Sequence, residues 1–156
     1  IEAVAGRCPD LKLTLFDLPA VADQAAQRMT RSGLSGRVRL ASGDFFADAL
    51  PTGADAISLV RVLLDHDDAS ALRILRQAHA ALPPGGTLLV AETLSGVRGA
   101  ETISDAYFGF YLLAMGKGRP RSADEIRNLL SKAGFRDIRL KHTRRPLLTQ
   151  LMTARR

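Results

Sequence analysis

The stretch Ala54–Leu64, almost wholly apolar and followed by Asp65-His66-Asp67-Asp68, constrains the fold more than any other. Such a run reads as a central parallel strand buried on both faces, since strands of that kind have helices above and below them. It stands in a regular alternation. Leu11–Leu18 alternates and then runs apolar like a buried strand, Ala20–Ser32 has helical spacing with Val21, Ala25 and Met29 on one face, and Val38–Ser42 reads as a second strand. Beyond the apolar run, a helix is expected from about Asp68 to Leu82, with Leu72, Leu75 and Ala78 inward and Pro83-Pro84-Gly85-Gly86 stopping it. Thr87–Thr93 is another buried strand. Thr102–Met115 is an aromatic-rich helix, and Ser122 with Glu125 forms the capping box of a helix ending near Gly134. Phe135–Lys141 and Leu147–Thr153 read as closing strands, an antiparallel pair around Arg145-Pro146. Alternation of this kind implies an α/β fold with a mostly parallel sheet and helices on both faces.

Composition adds bounds. A chain of 156 residues fits one domain, 1–156, with a real core. The single Cys8 forms no internal disulfide and points to a reducing compartment. No basic-then-apolar leader opens the chain and no apolar run approaches about 18 residues, so it reads as cytoplasmic and non-spanning. The net charge of +6 invites a nucleic-acid reading. The arginines are scattered and lack the interleaved aromatics of a stacking platform, so no nucleic-acid partner is expected. An Arg-rich solvated surface is the plain alternative; weak attraction to an anionic membrane face is the other, supported by Arg144, Arg145, Arg155 and Arg156. No metal site is read.

Ligands of open α/β sheets bind outside the carboxyl ends of the strands. Asp17, Asp44, the segment Leu64–Asp68 and Glu92 all fall at such ends. Carboxylates there can accept hydrogen bonds from a ribose or from an adenine amino group, which suggests an adenosine-containing cofactor and an enzyme. Asp17 before Leu18-Pro19 also suits a simple helix start. Phe45 and Phe46 serve equally as core aromatics. The Gly-rich turn that normally opens a nucleotide-binding sheet is missing; Ser32-Gly33-Leu34-Ser35-Gly36 follows a helix and reads as a helix stop. Ile1 to Arg7 reads as the last turns of a helix. The chain is therefore expected to be the carboxyl part of a longer protein, and this stretch alone is expected to bind its cofactor poorly.

Phe16-Asp17-Leu18-Pro19, Gly43-Asp44-Phe45-Phe46, Ala81-Leu82-Pro83-Pro84-Gly85-Gly86, Glu92 and Arg121-Ser122 through Ala133-Gly134-Phe135 resemble the S-adenosylmethionine-dependent O-methyltransferases of small hydroxylated metabolites. Ile57–Leu63, Asp65-His66, Asp105-Ala106-Tyr107-Phe108 and Gly118–Ser122 are similar to the carotenoid O-methyltransferases of purple phototrophic bacteria, the hydroxyneurosporene or demethylspheroidene type. The resemblance implies a Rossmann-like methyltransferase sheet lacking its first strand, with S-adenosylmethionine as cofactor. It also implies methylation of the tertiary hydroxyl of a hydroxylated acyclic carotenoid, a small apolar substrate. An upstream helical domain would make the protein a homodimer, cytoplasmic or peripheral to the inner membrane. Within the pattern Asp17 takes the ribose hydroxyls and Asp44 the adenine amino group. Phe45 packs on the adenine face, and Arg61 joins the cofactor site.

The family places a catalytic His, then Asp, then Trp at the end of the strand before Asp67. Aligned without gaps, Leu64 stands at the His position, Asp65 matches the Asp, and His66 takes the Trp position. Pro120 replaces a second supporting carboxylate, while Glu92 matches the other active-site Glu. The base then falls to His66, whose ordinary pKa near ~6.5 suits proton acceptance at neutral pH, with Asp65 and Glu92 beside it. A solvated helix start is the alternative for His66. His79 is expected to pack and His142 to be exposed. Tyr107, Tyr111 and Met115, with Phe108, Phe110 and Leu112, form either an ordinary core face or one wall of an apolar substrate tunnel. Methylation of a phenolic polyketide or other aromatic metabolite is the rival activity. A non-catalytic cofactor-fold binding protein is the rival of another class, favoured by Leu64 and Pro120.

Overall fold

In a computed structural model, residues 1–97, 99, 106–145 and 148–156 are described, except the Met115 side chain. They divide into two units, Ile1–Pro51 and Thr52–Arg156.

In the first unit, α1 (Glu2–Arg7) precedes β1 (Leu13–Asp17), α2 (Pro19–Arg31) and β2 (Val38–Ser42). Pro19 opens α2, where its missing N–H costs nothing. Of the expected inward face, Met29 is buried and Ala25 half-buried, but Val21 is exposed and Ala22 is buried beside it. Met29 and Val38 are the large buried side chains of the unit. β1 and β2 pair in parallel, Leu13 opposite Val38 through Asp17 opposite Ser42, and the Gly43 amide donates to the Asp17 carbonyl at 3.0 Å. Arg37 ties the start of β2 to the carbonyls of Ala5 and Cys8.

The second unit holds β3 (Ala56–Val60), a 3₁₀ turn (Leu63–Asp65), α3 (Asp68–Ala81), β4 (Thr87–Glu92), α4 (Phe108–Met115), α5 (Ala123–Lys132), β5 (Arg136–Lys141) and β6 (Gln150–Arg155). Strand order is β3-β4-β6-β5, with β3 and β4 parallel and β6 antiparallel to both of its neighbours. The antiparallel pairing of the two closing strands is as expected. The insertion of the last strand between β4 and β5 was not legible. Leu88, Val90, Ala154 and Met152 fill one face of the sheet. α3 buries Ala71, Ile74, Leu75, Ala78 and Ala81, with Leu72 half-buried.

One expectation is corrected. The run Ala54–Leu64 is not one strand buried on both faces. β3 ends at Val60, has Ala56, Ser58 and Val60 exposed, and stands last in the order of its sheet. The strand stops because Arg61 takes φ 54°, a left-handed conformation that no strand continues through. Leu63 and Leu64 are buried by the turn that follows. The helix expected from Thr102 is described only from Ala106, and Pro146 and Leu147 lie outside the described residues. Ser122 does cap α5, accepting from the Glu125 amide while Glu125 accepts from the Ser122 amide.

Candidate active site

In the first unit, Asp17 closes β1 and Asp44 lies two residues past the end of the strand paired with it. Parallel pairing therefore sets the two acidic segments at the same end of the sheet. Asp17 Oδ1 accepts the Leu18 amide at 2.8 Å and Asp44 Oδ1 accepts the Phe46 amide at 2.7 Å, so each carboxylate is locked to its own turn. The second oxygen of each has no hydrogen bond among the described residues. That donor-free pair of oxygens suits the hydroxyls and amino group of an adenosine. Phe45 meets Phe46 edge-on at 4.9 Å between ring centroids, and both are half-buried. Gly43 lets the turn run close to Phe16: a Cβ would come within 2.8 Å of the end of its ring, which would have to shift.

In the second unit, the turn after β3 is gripped from several sides. Glu92, at the end of β4 and only 2% exposed, accepts the amides of Val62 and Leu63 through Oε1 at 3.0 and 2.8 Å. Its Oε2 is buried with no hydrogen-bond partner. Burial pushes this carboxyl up to about 7, against the pull of those two amides, and the nearby Asp65 pushes in the same direction. Its protonated form therefore persists to far higher pH than that of an ordinary carboxyl. His66 is half-buried, and burial lowers its pKa; Asp65 and Asp67 pull it upward while Arg121 and Lys117 press it further down. Asp67, not Asp68, caps α3, accepting the Ser70 amide at 2.7 Å.

Leu64, at the position expected for a base, is 4% exposed and packs with Phe108 and Leu112. Those two members of the aromatic helix are thus core residues. Tyr107 and Tyr111 are 64% and 46% exposed and touch Phe108 edge-on. The Met115 side chain lies outside the described residues. Arg61 is exposed, with its guanidinium 5.0 Å from the Phe108 ring centroid. His79 packs edge-on against Phe135, and His142 is exposed, as expected.

Sequence reasoning missed Arg121. It is fully buried and binds the Leu63 carbonyl, the His66 carbonyl and the Asp68 carboxylate. Gly118, with φ +86°, presses against the same turn; a Cβ there would sit 2.2 Å from the Leu64 carbonyl oxygen. No periodicity links these residues, since 58 positions separate Arg121 from Leu63. Among the described residues there is no His/Cys/Asp/Glu group suited to a metal, and no helix long and apolar enough to cross a membrane.

Acidic strand ends in the first unit and, in the second, a buried turn carrying Asp65 and His66 each fit an enzyme with a nucleoside cofactor. The family model of the O-methyltransferase domain matches residues 1–136, and the chain belongs to that family. It is 46% identical to a demethylspheroidene O-methyltransferase of Cereibacter sphaeroides, over 99% of this chain and 41% of that protein. It is 40% identical to a 3-amino-4-hydroxybenzoate 4-O-methyltransferase of Streptomyces cremeus, over 99% of this chain and 41% of that protein. The structure of human N-acetylserotonin methyltransferase in complex with SAM superposes with a TM-score of 0.80 at 32% identity, over 97% of this chain and 42% of that one. The chain thus spans about two fifths of the length of these relatives.

Proposed function

We propose that the protein is an S-adenosylmethionine-dependent O-methyltransferase acting on the tertiary hydroxyl of a hydroxylated acyclic carotenoid. The carrying observation is the 46% identity with the demethylspheroidene enzyme across nearly the whole chain. The bound cofactor supplies an activated methyl group, so the protein's task is to position an acceptor and remove its proton. Asp17 and Asp44 are assigned to the ribose and the adenine amino group, with Phe45 against the adenine and Arg61 completing the site. Their unused carboxylate oxygens support that assignment.

His66 is assigned the proton. Its lowered pKa keeps it neutral and able to accept at pH 7, and a tertiary alcohol, being a weak acid, benefits from a base as the O–H bond weakens. Asp65 stands beside His66 and favours its charged form once the proton arrives. Glu92 supports the turn that carries both. The exposed rings of Tyr107 and Tyr111, with Met115, are assigned to the apolar acceptor. Homodimerisation through a helical segment outside these residues, and peripheral contact with an anionic membrane, belong to the same reading. Arg155, however, is already bonded to the Gly85 carbonyl and Thr87, and Arg156 to the Ala80 and Leu82 carbonyls.

The test pairs two acceptors and one variant in the full-length protein. Methyl transfer to a hydroxylated acyclic carotenoid is expected; turnover of a phenolic acid alone would overturn the acceptor and favour the aromatic reading. His66→Ala should lower kcat by a factor on the order of 10²–10⁴ with cofactor affinity unchanged. An unaltered rate removes His66 from the mechanism.

A further inference from the structure

The turn that carries His66 is held by a segment far away in sequence. The Arg119 amide donates to the Leu64 carbonyl at 3.0 Å. Arg121 sends Nη1 to the Leu63 carbonyl at 2.7 Å and Nη2 to the His66 carbonyl at 2.6 Å, while Nε meets Asp68 Oδ1 at 2.8 Å. The Arg121 backbone is fixed too: its carbonyl accepts the Ser95 amide at 2.9 Å, and it bridges to Leu94 just beyond β4.

Burying a guanidinium is costly unless its donors are satisfied, and an apolar side chain of similar volume often serves stability as well. What an apolar side chain cannot do is hold two carbonyls three residues apart in one rigid fork. The fork spans Leu63 to His66, so it restricts the backbone of Leu64 and Asp65 between them and sets the direction in which His66 leaves the chain. Glu92 holds the amide side of the same turn at Val62 and Leu63.

We propose that Arg121 is a positioning residue for methyl transfer, aiming the His66 ring through its bonds to the Leu63 and His66 carbonyls. This rests on His66 being the base, as read above. The charged groups acting on His66 are Asp65, Asp67, Arg121 and Lys117, so Arg121 also contributes a charge that its geometric role does not require. The two contributions separate by substitution.

The experiment measures kcat, KM, cofactor Kd and the pH profile for the full-length protein and for Arg121→Lys, Arg121→Gln and Asp68→Ala. Arg121→Lys keeps the charge and loses the fork. Its kcat should fall by a factor on the order of 10–100, with KM and cofactor Kd within about twofold and the acid limb of the profile unmoved. Arg121→Gln should show the same loss with the acid limb shifted to higher pH, because a positive charge opposing His66 protonation is gone. Asp68→Ala removes the acceptor of the Arg121 Nε at a carboxylate that is 55% exposed; it should lower kcat by a smaller factor, measured at a temperature where the variant is fully folded. Wild-type kcat in Arg121→Lys overturns the proposal, as does a loss matched by the fraction of unfolded protein. If Arg121→Lys fails to fold, Asp68→Ala decides, and an unchanged kcat there overturns it as well. Failure of the underlying reading is distinguishable: wild-type protein then turns over no acceptor, or His66→Ala leaves the acid limb where it was.

Discussion

Replacing Glu92 with Gln isolates the cost of ionising a buried carboxyl. Its pKa is pushed from an ordinary 4.5 to about 7, chiefly by burial. A tenfold change in proton affinity is worth about 1.4 kcal/mol, so the difference between folded and unfolded chains amounts to about 3 kcal/mol. Below pH 4.5 the group is neutral in both states and costs nothing. Between 4.5 and 7 the unfolded chain releases the proton while the folded protein retains it, so stability falls as pH rises; above 7 the loss is complete. Glu92→Gln keeps an oxygen for the Val62 and Leu63 amides but cannot ionise. Its amide nitrogen replaces Oε2, which has no partner, and adds a pH-independent cost of about 1–3 kcal/mol. The diagnostic is therefore the slope and not the offset. Urea unfolding of both full-length proteins from pH 4.5 to 8.5 should show the wild type losing about 3 kcal/mol relative to the variant. Curves that stay parallel within about 0.5 kcal/mol would refute a neutral, burial-shifted Glu92.

Gly118→Ala should destabilise the protein by at least about 1–3 kcal/mol from conformation alone, because φ is +86°, with a further cost where the new Cβ meets the Leu64 carbonyl. Thermal melting measures it, and a change under about 0.5 kcal/mol contradicts the packing. Ser122→Ala should cost about 1 kcal/mol by removing the acceptor for the Glu125 amide, with kcat unaltered once the protein is folded. Denaturant midpoints test that figure.

What was legible in the sequence was local. Val38–Ser42 and the Ser122–Glu125 box were read with their observed bounds because a strand of five residues and a cap depend on neighbours in the chain. The end of β3 was misread because Val62, Leu63 and Leu64 continue an apolar run although the backbone has turned at Arg61; burial in a turn and burial in a strand look the same in composition. On α2 Ala25 and Met29 face inward as read, but Val21 does not, because Ala22 and Val21 are both apolar and only packing selects between them. Asp17 and Asp44 were placed at one sheet end correctly, since parallel pairing of successive strands follows from their alternation with α2. Arg121 stood in a family-like motif, but nothing local showed that it would be buried against partners 53 to 58 residues away.

The two departures from the family pattern, Leu64 and Pro120, have one physical explanation. An imidazole at position 64 would have a polar edge needing a partner, and a carboxylate near position 120 would supply it. Leu64 instead packs in the cluster with Phe108 and Leu112, and an aliphatic side chain can take no proton from an acceptor. A carboxylate at the half-buried position 120 would be a poorly hydrated charge, which is costly without a partner. Proline has neither a charge nor an amide hydrogen to satisfy. It also stands between the two residues that grip the turn, Arg119 through its amide and Arg121 through its fork, and it limits the freedom of that segment. Loss of the side-chain partner at 120 is thus consistent with a turn held by its backbone, through the Arg119 amide and the Arg121 fork.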